Sequence, residues 1–248
     1  METILEIKNL SKTYYTKKCE IEALKNVNLK VKEKDFIALL GPSGCGKSTL
    51  LSIIGDLEKA TNGTIIKKEN LKIGYMLQDD CLFPWLTIYE NCILGLKITK
   101  TYTDDNIKMV KDLLETYGLK EFMNNYPKDL SGGMRQRVAL IRTLALKPDL
   151  LLLDEPFSKL DYQMRINVSN DVFNIIKKEN KTLLIVTHDI SEAISLCNKV
   201  VVLSKRPSTI KKIYDINNDF DEHNPIKQRM SKEFMEYYKK IWEDLNEK

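Results

Sequence analysis

The amino-acid sequence predicts an α/β fold in which a parallel sheet is interrupted by a helical insertion. Apolar runs of strand length alternate with helical patterns in residues 1–78 and again in residues 147–220, and such alternation is typical of parallel sheets. Residues 79–146 are mainly helical in pattern, and residues 221–248 carry apolar side chains at helical spacing. We therefore expect one domain over residues 1–248, formed by an α/β core, a helical subdomain and a C-terminal helix.

The strands of the core follow from short local patterns. ILEIKNL at 4–10 and ALKNVNLKVK at 23–32 alternate apolar and polar residues, as half-buried strands do. DFIALL at 35–40 is a continuous apolar run, which predicts a strand buried on both faces. Further strands are expected at 64–68, 72–78, 150–154, 182–187, 199–204 and 209–216.

The helices are indicated by their first and last residues. Thr87-Ile88-Tyr89-Glu90 has the spacing of a capping box. The segment 103–119 has an acidic first turn and a terminating Gly118, and another helix runs from SGGM at 131 to a point before Pro148. The last helix is expected to start near Asn224-Pro225. It carries a stripe that serves core packing or forms a docking face, namely Met230, Phe234, Tyr237, Ile241 and Leu245.

The composition argues against several classes of protein. The 39 basic and 35 acidic residues nearly cancel to a charge of +4, whereas a nucleic-acid partner usually calls for a clustered basic face. The five cysteines contain no C-x-x-C pair, which argues against a disulfide framework or a zinc site. The first residues lack the pattern of a signal peptide. The apolar runs fall short of the roughly 18 residues that a bilayer span needs, so a cytoplasmic location is expected.

The segment GPSGCGKST at 41–49 fits the phosphate-loop pattern G-x-x-x-x-G-K-[ST], between a buried strand and a helix. Its glycines allow several backbone N–H groups to point at phosphate oxygens. Lys47 supplies a positive charge for the β- and γ-phosphates, and the Ser48 hydroxyl can bind Mg²⁺. A glycine-rich turn without a ligand is improbable in this setting. The expected ATP-binding residues here are Gly41, Pro42, Ser43, Gly44, Cys45, Gly46, Lys47, Ser48 and Thr49.

Polar residues end three of the predicted strands. Asp154 is placed to hold Mg²⁺, and the adjacent Glu155 is a candidate general base for a water molecule that attacks the γ-phosphorus. An Asp-Glu pair after a strand is otherwise usually a solvated turn, but a phosphate loop in the same chain favours the functional interpretation. Gln78 and His188 end two further strands. Together with Glu155 they are predicted to sense the γ-phosphate.

A second glycine-containing helix start stands in LSGGMRQR at 130–137. Ser131, Gly132 and Gly133 lead directly into a helical pattern, and a helix N-terminus favours bound anions. The chain therefore carries two phosphate-binding signals, although one phosphate loop is enough for one nucleotide.

These motifs, with SKLD at 158–161 and TH at 187–188, resemble those of ABC-type ATPases in order and spacing, over about residues 4–220. The resemblance implies a P-loop NTPase (RecA-like) core with an N-terminal antiparallel β-subdomain and an inserted α-helical subdomain. It also implies hydrolysis of ATP with Mg²⁺ in a head-to-tail homodimer that forms in the ATP-bound state.

The resemblance assigns roles to individual residues. Glu155, His188 and Gln78 are the implied catalytic residues, Mg²⁺ is held by Ser48, Gln78 and Asp154, and Tyr14 lies where the family places an aromatic ring against adenine. The residues that would contact the partner's ATP in trans are Ser131, Gly132, Gly133 and Asp161.

Three segments look like the nitrate/sulfonate/taurine importer group, namely FPWLTIYENCILGLK at 83–97, LSGGMRQRVAL at 130–140 and VVLSKRPSTI at 201–210. That similarity implies two membrane-spanning permease subunits, a solute-binding protein as an indirect partner, and a peripheral position on the cytoplasmic face of the cell membrane. Three residues depart from the family pattern: Met134 in place of glutamine, Lys159 in place of alanine, and Lys34 where glycine is frequent.

Other functions remain as alternatives. A soluble ABC ATPase acting on nucleic acid or ribosomes would tend to have two cassettes, a long coiled-coil insertion or zinc-binding cysteine pairs, and the sequence has none of these. A P-loop kinase or GTPase is a third alternative, but the N-K-x-D guanine motif is lacking and LSGGMR would have no role in such a protein. A protein that binds ATP without hydrolysing it is disfavoured by Glu155.

Overall fold

The computed structural model describes residues 1–15, 19–158, 160–216 and 225–246. The chain forms two compact units, one made of Met1–Leu71 and Asn180–Lys248, the other of Lys72–Glu179. The strands are β1 (Thr3–Tyr15), β2 (Glu20–Lys32), β3 (Phe36–Leu40), β4 (Asn62–Lys67), β5 (Ile73–Met76), β6 (Leu150–Asp154), β7 (Thr182–Val186), β8 (Lys199–Leu203) and β9 (Ile210–Asp215). The helices are α1 (Lys47–Ile54), α2 (Ile88–Ile98), α3 (Asp104–Thr116), α4 (Gly132–Leu144), α5 (Tyr162–Lys178), α6 (Ile190–Leu196), α7 (Pro225–Gln228) and α8 (Lys232–Asn246).

The first unit begins with a three-stranded antiparallel sheet in the order β2–β1–β4. Leu5, Ile7 and Leu10 of β1 are fully buried, and polar residues stand between them. This alternation places one face of the sheet against the core, as a half-buried antiparallel sheet requires. The antiparallel β-subdomain that the resemblance implied is therefore confirmed.

The first unit also contains the strand that leads into the phosphate loop. β3 lies between β7 and β8 and is parallel to both, and all of its residues are buried, as its continuous apolar run predicts. β9 instead pairs antiparallel with β8, so the expectation of parallel pairing is wrong for this strand. The reason is the short connection at 204–209, because a parallel partner needs a much longer crossover.

The second unit combines a parallel pair of strands, β5 and β6, with helices α2 to α5. The predicted capping box is confirmed: the Thr87 N–H donates to Glu90 Oε2 at 2.8 Å, and the Glu90 N–H donates to Thr87 Oγ1 at 3.2 Å. These two bonds satisfy N–H groups that the first turn of a helix leaves unpaired. They fix the start of α2 shortly after Gln78.

The C-terminal region differs from its prediction. One helix was expected from near Asn224, a residue outside the described part of the chain, but residues 229–231 separate α7 from α8. The break occurs because Ser231 Oγ accepts the Phe234 N–H at 3.1 Å and so starts a new helix. Phe234 and Ile241 are buried as expected, whereas Met230 is 83% exposed. Within the described ranges, no helix is both long and apolar enough to cross a membrane.

The turn before β3 keeps a glycine-like backbone although lysine occupies it. Lys34 has a φ of 61°, in the left-handed region, and its N–H donates to Thr182 Oγ1 at 3.0 Å. Left-handed backbone is sterically costly for residues with a Cβ. Although lysine stands at this position, the turn keeps the backbone conformation that glycine adopts most easily.

Candidate active site

The phosphate loop joins the end of β3 to the start of α1. Gly46 has a φ of 116°, and a Cβ there would lie 3.0 Å from Leu24 Cδ2 and 3.2 Å from the carbonyl oxygen of Ala23. Only glycine combines this backbone with so close an approach. The Leu50 N–H donates to the Gly46 carbonyl at 2.9 Å, so the loop passes directly into the helix. The positive end of α1 thus faces the loop, where it favours an anion.

Lys47 is held inside this loop. Its side chain is buried, with a relative exposure of 6% for the residue, and Nζ donates to the carbonyls of Gly41 at 2.8 Å and Pro42 at 3.1 Å. Ser48 is exposed and Thr49 is half-buried on the same first turn. A lysine ammonium and a helix N-terminus therefore lie within one short loop, which is the arrangement that binds polyphosphate.

Tyr14 is the predicted adenine contact, and the structure brings it next to the phosphate loop. Its hydroxyl lies 3.3 Å from Thr49 Oγ1, and Lys12 Nζ stands 4.8 Å from the centre of its ring. The ring is half-buried. Tyr14 thus lies beside the first turn of α1.

Arg206 contacts the phosphate loop and was not predicted as a site residue. Its guanidinium donates to the Gly44 carbonyl from Nε at 3.1 Å and also from Nη2. The contact joins residues 162 positions apart in the sequence, and no local pattern signals it. Arg206 supports the outside of the loop and adds a positive charge close to the phosphate-binding backbone.

His188 lies at the same sheet edge as the phosphate loop. Leu39 of β3 and Val186 of β7 are register partners, and the Thr187 N–H donates to the Leu39 carbonyl at 3.3 Å. Because the strands are parallel, the residues that follow them emerge at one edge. His188 is exposed there, directly before Asp189, which caps α6.

The second unit holds the predicted catalytic carboxylate. Met76 of β5 is paired with Leu153 of β6, so Gln78 and Glu155 each stand two residues beyond a paired position. Gln78 Nε2 donates to Glu155 Oε2 at 3.4 Å and lies 3.5 Å from Ser158 Oγ. The structure therefore brings together two residues that the sequence placed at separate strand ends. Ser158, whose hydroxyl donates to the Glu155 carbonyl at 3.0 Å, was not predicted to contribute.

Glu155 also has an unusual backbone. Its φ of 44° lies in the left-handed region, which few residues other than glycine, asparagine and aspartate adopt. Such strain persists where surrounding structure enforces it, and it is frequent at active sites. Asp154, directly before it, is only 8% exposed.

The helix predicted at SGGM is confirmed as α4. Ser131 is its N-cap and accepts the Met134 N–H at 3.3 Å. Gly133 contacts α5, because a Cβ there would lie 3.1 Å from both Met164 Sδ and Val168 Cγ2. Met134, the departure from the family pattern, contributes its N–H to the cap.

Asp161, the other residue predicted to act in trans, caps α5 by accepting the Met164 N–H at 3.0 Å, and it is exposed. Lys159, which departs from the family pattern nearby in the sequence, lies outside the described residues. The contribution of Asp161 within its own chain is therefore to start α5.

The predicted metal ligands fit Mg²⁺ by their chemistry. Ser48, Gln78 and Asp154 offer hydroxyl, amide and carboxylate oxygens, and Mg²⁺ is a hard cation that prefers oxygen. Proteins usually hold Mg²⁺ with one or two side chains together with substrate phosphates. In the described part of the chain, no group of three or more His, Cys, Asp or Glu side chains could hold a metal alone.

Comparison with known proteins identifies the relatives of the chain. Residues 24–158 match the family profile of the ABC transporter. The sequence is 43% identical to the uncharacterized ABC transporter ATP-binding protein YtlC of Bacillus subtilis (strain 168), over 98% of this chain and 96% of that protein.

Two relatives have names that include a transported substance. The aliphatic sulfonates import ATP-binding protein SsuB of Bacillus cereus (strain ATCC 10987 / NRS 248) is 38% identical, over 96% of this chain and 94% of that protein. The nitrate import ATP-binding protein NrtD of Synechocystis sp. (strain ATCC 27184 / PCC 6803 / Kazusa) is 37% identical, over 96% and 93%.

Among solved structures, the dimeric post-hydrolysis state of the ATP-binding cassette MJ0796 bound to ADP and Pi has a TM-score of 0.74 to this chain. The two are 34% identical, and the match covers 87% of this chain and 100% of that one. The observed folding pattern is thus that of a solved ATP-binding cassette.

Proposed function

The chain belongs to the ABC transporter family and is an ATPase, and from this premise we propose that it energises a membrane importer for a small anion or organic solute of the nitrate/sulfonate/taurine type. The observation that carries the hydrolytic part of the proposal is the hydrogen bond between Gln78 and Glu155 at two adjacent strand ends, in a chain with a complete phosphate loop. The names of the sulfonate and nitrate relatives support the anionic substrate class.

In the proposed reaction, ATP is bound in the phosphate loop of the first unit. Backbone N–H groups of the loop and the Lys47 ammonium neutralise the β- and γ-phosphates. Tyr14 stacks against the adenine, and Arg206 keeps the Gly44 segment in place from outside. Ser48, Asp154 and Gln78 would hold Mg²⁺, which would neutralise charge at the phosphate oxygens.

Glu155 accepts a proton from the attacking water molecule as the oxygen–phosphorus bond forms. The bond between the γ-phosphorus and the bridging oxygen breaks, and the products are ADP and inorganic phosphate. Gln78 orients the Glu155 carboxylate, which its hydrogen bond already holds. His188 stabilises the negative charge that develops on the γ-phosphoryl oxygens.

We further propose that ATP joins two copies of the chain head to tail. Ser131, Gly132, Gly133 and Asp161 of one copy would contact the ATP held by the Lys47 of the other. Support comes from the confirmed helix start at Gly132, which suits a phosphate, and from the dimeric form of the similar cassette. Loss of the γ-phosphate removes the anion shared by the two copies and loosens them.

The proposed contact with the two permease subunits lies just after Gln78. Phe83 and Trp85 are 37% and 69% exposed, and their ring centroids are 5.2 Å apart. Exposed aromatic side chains of this kind are frequent at protein interfaces. The chain would bind the permease on the cytoplasmic face of the membrane, and a solute-binding protein would act through the permease.

The central test is the substitution Glu155→Gln. We expect the rate of ATP hydrolysis to fall by at least about 10²-fold, the lower range for loss of a general base. Size-exclusion chromatography in Mg-ATP should show a dimer for this variant, because hydrolysis no longer releases the γ-phosphate. The control is Glu115→Gln, which changes an exposed carboxylate of the same unit. Normal turnover in Glu155→Gln, or a monomer in Mg-ATP, would contradict the proposed mechanism.

A further inference from the structure

Lys12 of β1 is a buried lysine that was not predicted as a site residue. It precedes Tyr14 by two positions, and it is only 9% exposed. A buried ammonium is costly unless its charge is paired and its N–H groups are hydrogen-bonded. The groups around Lys12 therefore indicate what its charge is used for.

Two oxygen atoms of the segment after α1 hold the Lys12 ammonium. Nζ donates to Glu58 Oε1 at 2.6 Å and to the Lys59 carbonyl at 2.7 Å. The hydrogen bond from Lys12 also holds the pKa of the Glu58 carboxyl below its ordinary value, so the pair is ionic at neutral pH. The segment follows the C-terminal end of α1, where the helix dipole favours a cation.

The same ammonium lies over the ring of Tyr14, with Nζ 4.8 Å from the ring centroid. A cation within about 6 Å of a ring face is attracted to it. At its other end, the Tyr14 hydroxyl lies 3.3 Å from Thr49 Oγ1 on the first turn of α1. The ring is thus held at two places, with its hydroxyl beside the phosphate loop and one face against an ammonium that Glu58 keeps in position.

Lys12 and Lys47 are held at opposite ends of α1. The acceptors of Lys47 lie in the loop before the helix, whereas those of Lys12 lie after it. The eight residues of α1 span roughly 12 Å at 1.5 Å per residue. Lys47 is therefore the lysine placed to neutralise phosphates, and Lys12 faces the tyrosine ring instead.

We propose that Lys12 is a positioning residue for the nucleotide base, which it affects through Tyr14. This inference rests on the proposed stacking of adenine against Tyr14. The ammonium occupies one face of the ring and leaves the other face for the base. An unsupported ring would have to be ordered when the nucleotide binds, and that ordering costs affinity. Lys12 therefore raises the affinity for the base and leaves the affinity for the phosphates unchanged.

The test compares two ligands of the full chain by isothermal titration calorimetry. One is the β,γ-imido analogue of ATP, and the other is inorganic tripolyphosphate, which has neither ribose nor base. In Lys12→Met we expect the affinity for the analogue to fall about fivefold, the effect of losing one cation–π contact. The affinity for tripolyphosphate should stay as in the wild type. An equal fall for both ligands, as a purely structural role predicts, or no fall for the analogue would overturn the proposal.

Three further variants serve as controls. Lys12→Arg should bind the analogue like the wild type, because a guanidinium also pairs with a carboxylate and stacks on an aromatic ring. Lys67→Met removes another ion pair to the segment after α1, with Asp56, and should change neither affinity. Glu58→Ala frees the ammonium from its anchor and should lower only the affinity for the analogue, even if Lys12→Met does not fold. An unchanged affinity in Glu58→Ala would contradict the inference.

The substitution Tyr14→Ala distinguishes this inference from the proposed function. It should lower the affinity for the analogue by about tenfold, as expected for loss of one base–aromatic stack, and addition of Lys12→Met should then cause no further loss. A further fivefold loss in the double variant would show that Lys12 acts without Tyr14 and would overturn the inference alone. A normal affinity in Tyr14→Ala would instead refute the proposed stacking, on which the inference rests.

Discussion

At the residue scale, the contact between Arg206 and the Gly44 carbonyl supports the phosphate loop from a distant part of the sequence. The loop curls through Gly44 and Gly46, whose backbones are left-handed, with φ values of 71° and 116°. Backbone of this kind is easily deformed, since glycine has many accessible conformations. A guanidinium that holds one carbonyl of the loop therefore helps to preorganise the phosphate site.

Removal of this contact should weaken nucleotide binding. In Arg206→Ala we expect the affinity for ATP to fall by about tenfold, because a hydrogen bond from a charged donor and a nearby positive charge are both lost. Titration with a fluorescent ATP analogue measures the change. Lys205→Ala, which removes a neighbouring exposed charge, should bind almost normally. Equal losses in the two variants would mean that only the net charge matters.

The sequence predicted the positions of those candidate site residues that follow from a local pattern. Lys47 stands in a fixed motif, and Gln78, Asp154 and Glu155 end apolar strands, so adjacent strands bring their side chains to one edge. Arg206 and Ser158 could not be found in this way, because their contacts depend on how distant or irregular segments fold. The left-handed backbone of Glu155 was equally invisible, since glutamate carries no preference for it.

At the scale of elements, the two glycines that start α4 have different surroundings. A Cβ on Gly133 would lie 3.1 Å from Met164 Sδ and Val168 Cγ2 of α5, whereas the nearest atom to a Cβ on Gly132 is Leu160 Cδ2 at 3.5 Å. The distance of 3.5 Å at Gly132 is ordinary van der Waals contact. The distance of 3.1 Å at Gly133 is shorter, so a neighbouring side chain would have to move. Gly133 therefore allows α4 and α5 to approach closely, and Gly132 is not needed for that packing.

A pair of alanine variants separates these roles. Both substitutions gain the same helix propensity, so the difference between them reports the contact with α5. We expect Gly133→Ala to be less stable than Gly132→Ala by about 1–3 kcal/mol, the usual cost of an extra methyl in a packed site. Urea unfolding followed by circular dichroism gives both free energies of unfolding. Equal stabilities would show that α5 adapts to the methyl group.

At the scale of the whole molecule, the first unit is assembled from two separate stretches of chain, Met1–Leu71 and Asn180–Lys248. The strand before the phosphate loop, β3, belongs to the first stretch, and both of its neighbours, β7 and β8, belong to the second. The sequence predicted a core made of residues 1–78 and 147–220, because the strand-and-helix alternation stops and returns, whereas the second stretch of the first unit starts at Asn180. It did not reveal the antiparallel β9 or the separation of α7 from α8, which depend on a short connection and a capping serine.

This assembly predicts how fragments of the chain behave. A fragment of residues 1–179 leaves β3 with unpaired N–H and C=O groups on both sides, and such groups are costly when buried. We expect it to aggregate and to bind no ATP analogue, as measured by light scattering and fluorescence titration. Co-expression with residues 180–248 should restore a soluble complex that binds the analogue. A monomeric 1–179 fragment with normal affinity would refute this account of the first unit.

On the proposed role of Glu155 as general base, its left-handed backbone limits which substitutions can give a non-hydrolysing protein for trapping complexes. Asparagine tolerates such a backbone best, and glutamine keeps the length of the original side chain. Valine or isoleucine would set a branched Cβ against the main chain and disturb the turn itself. Glu155→Asn and Glu155→Gln should therefore keep the native shape of the turn, whereas Glu155→Val and Glu155→Ile should change it.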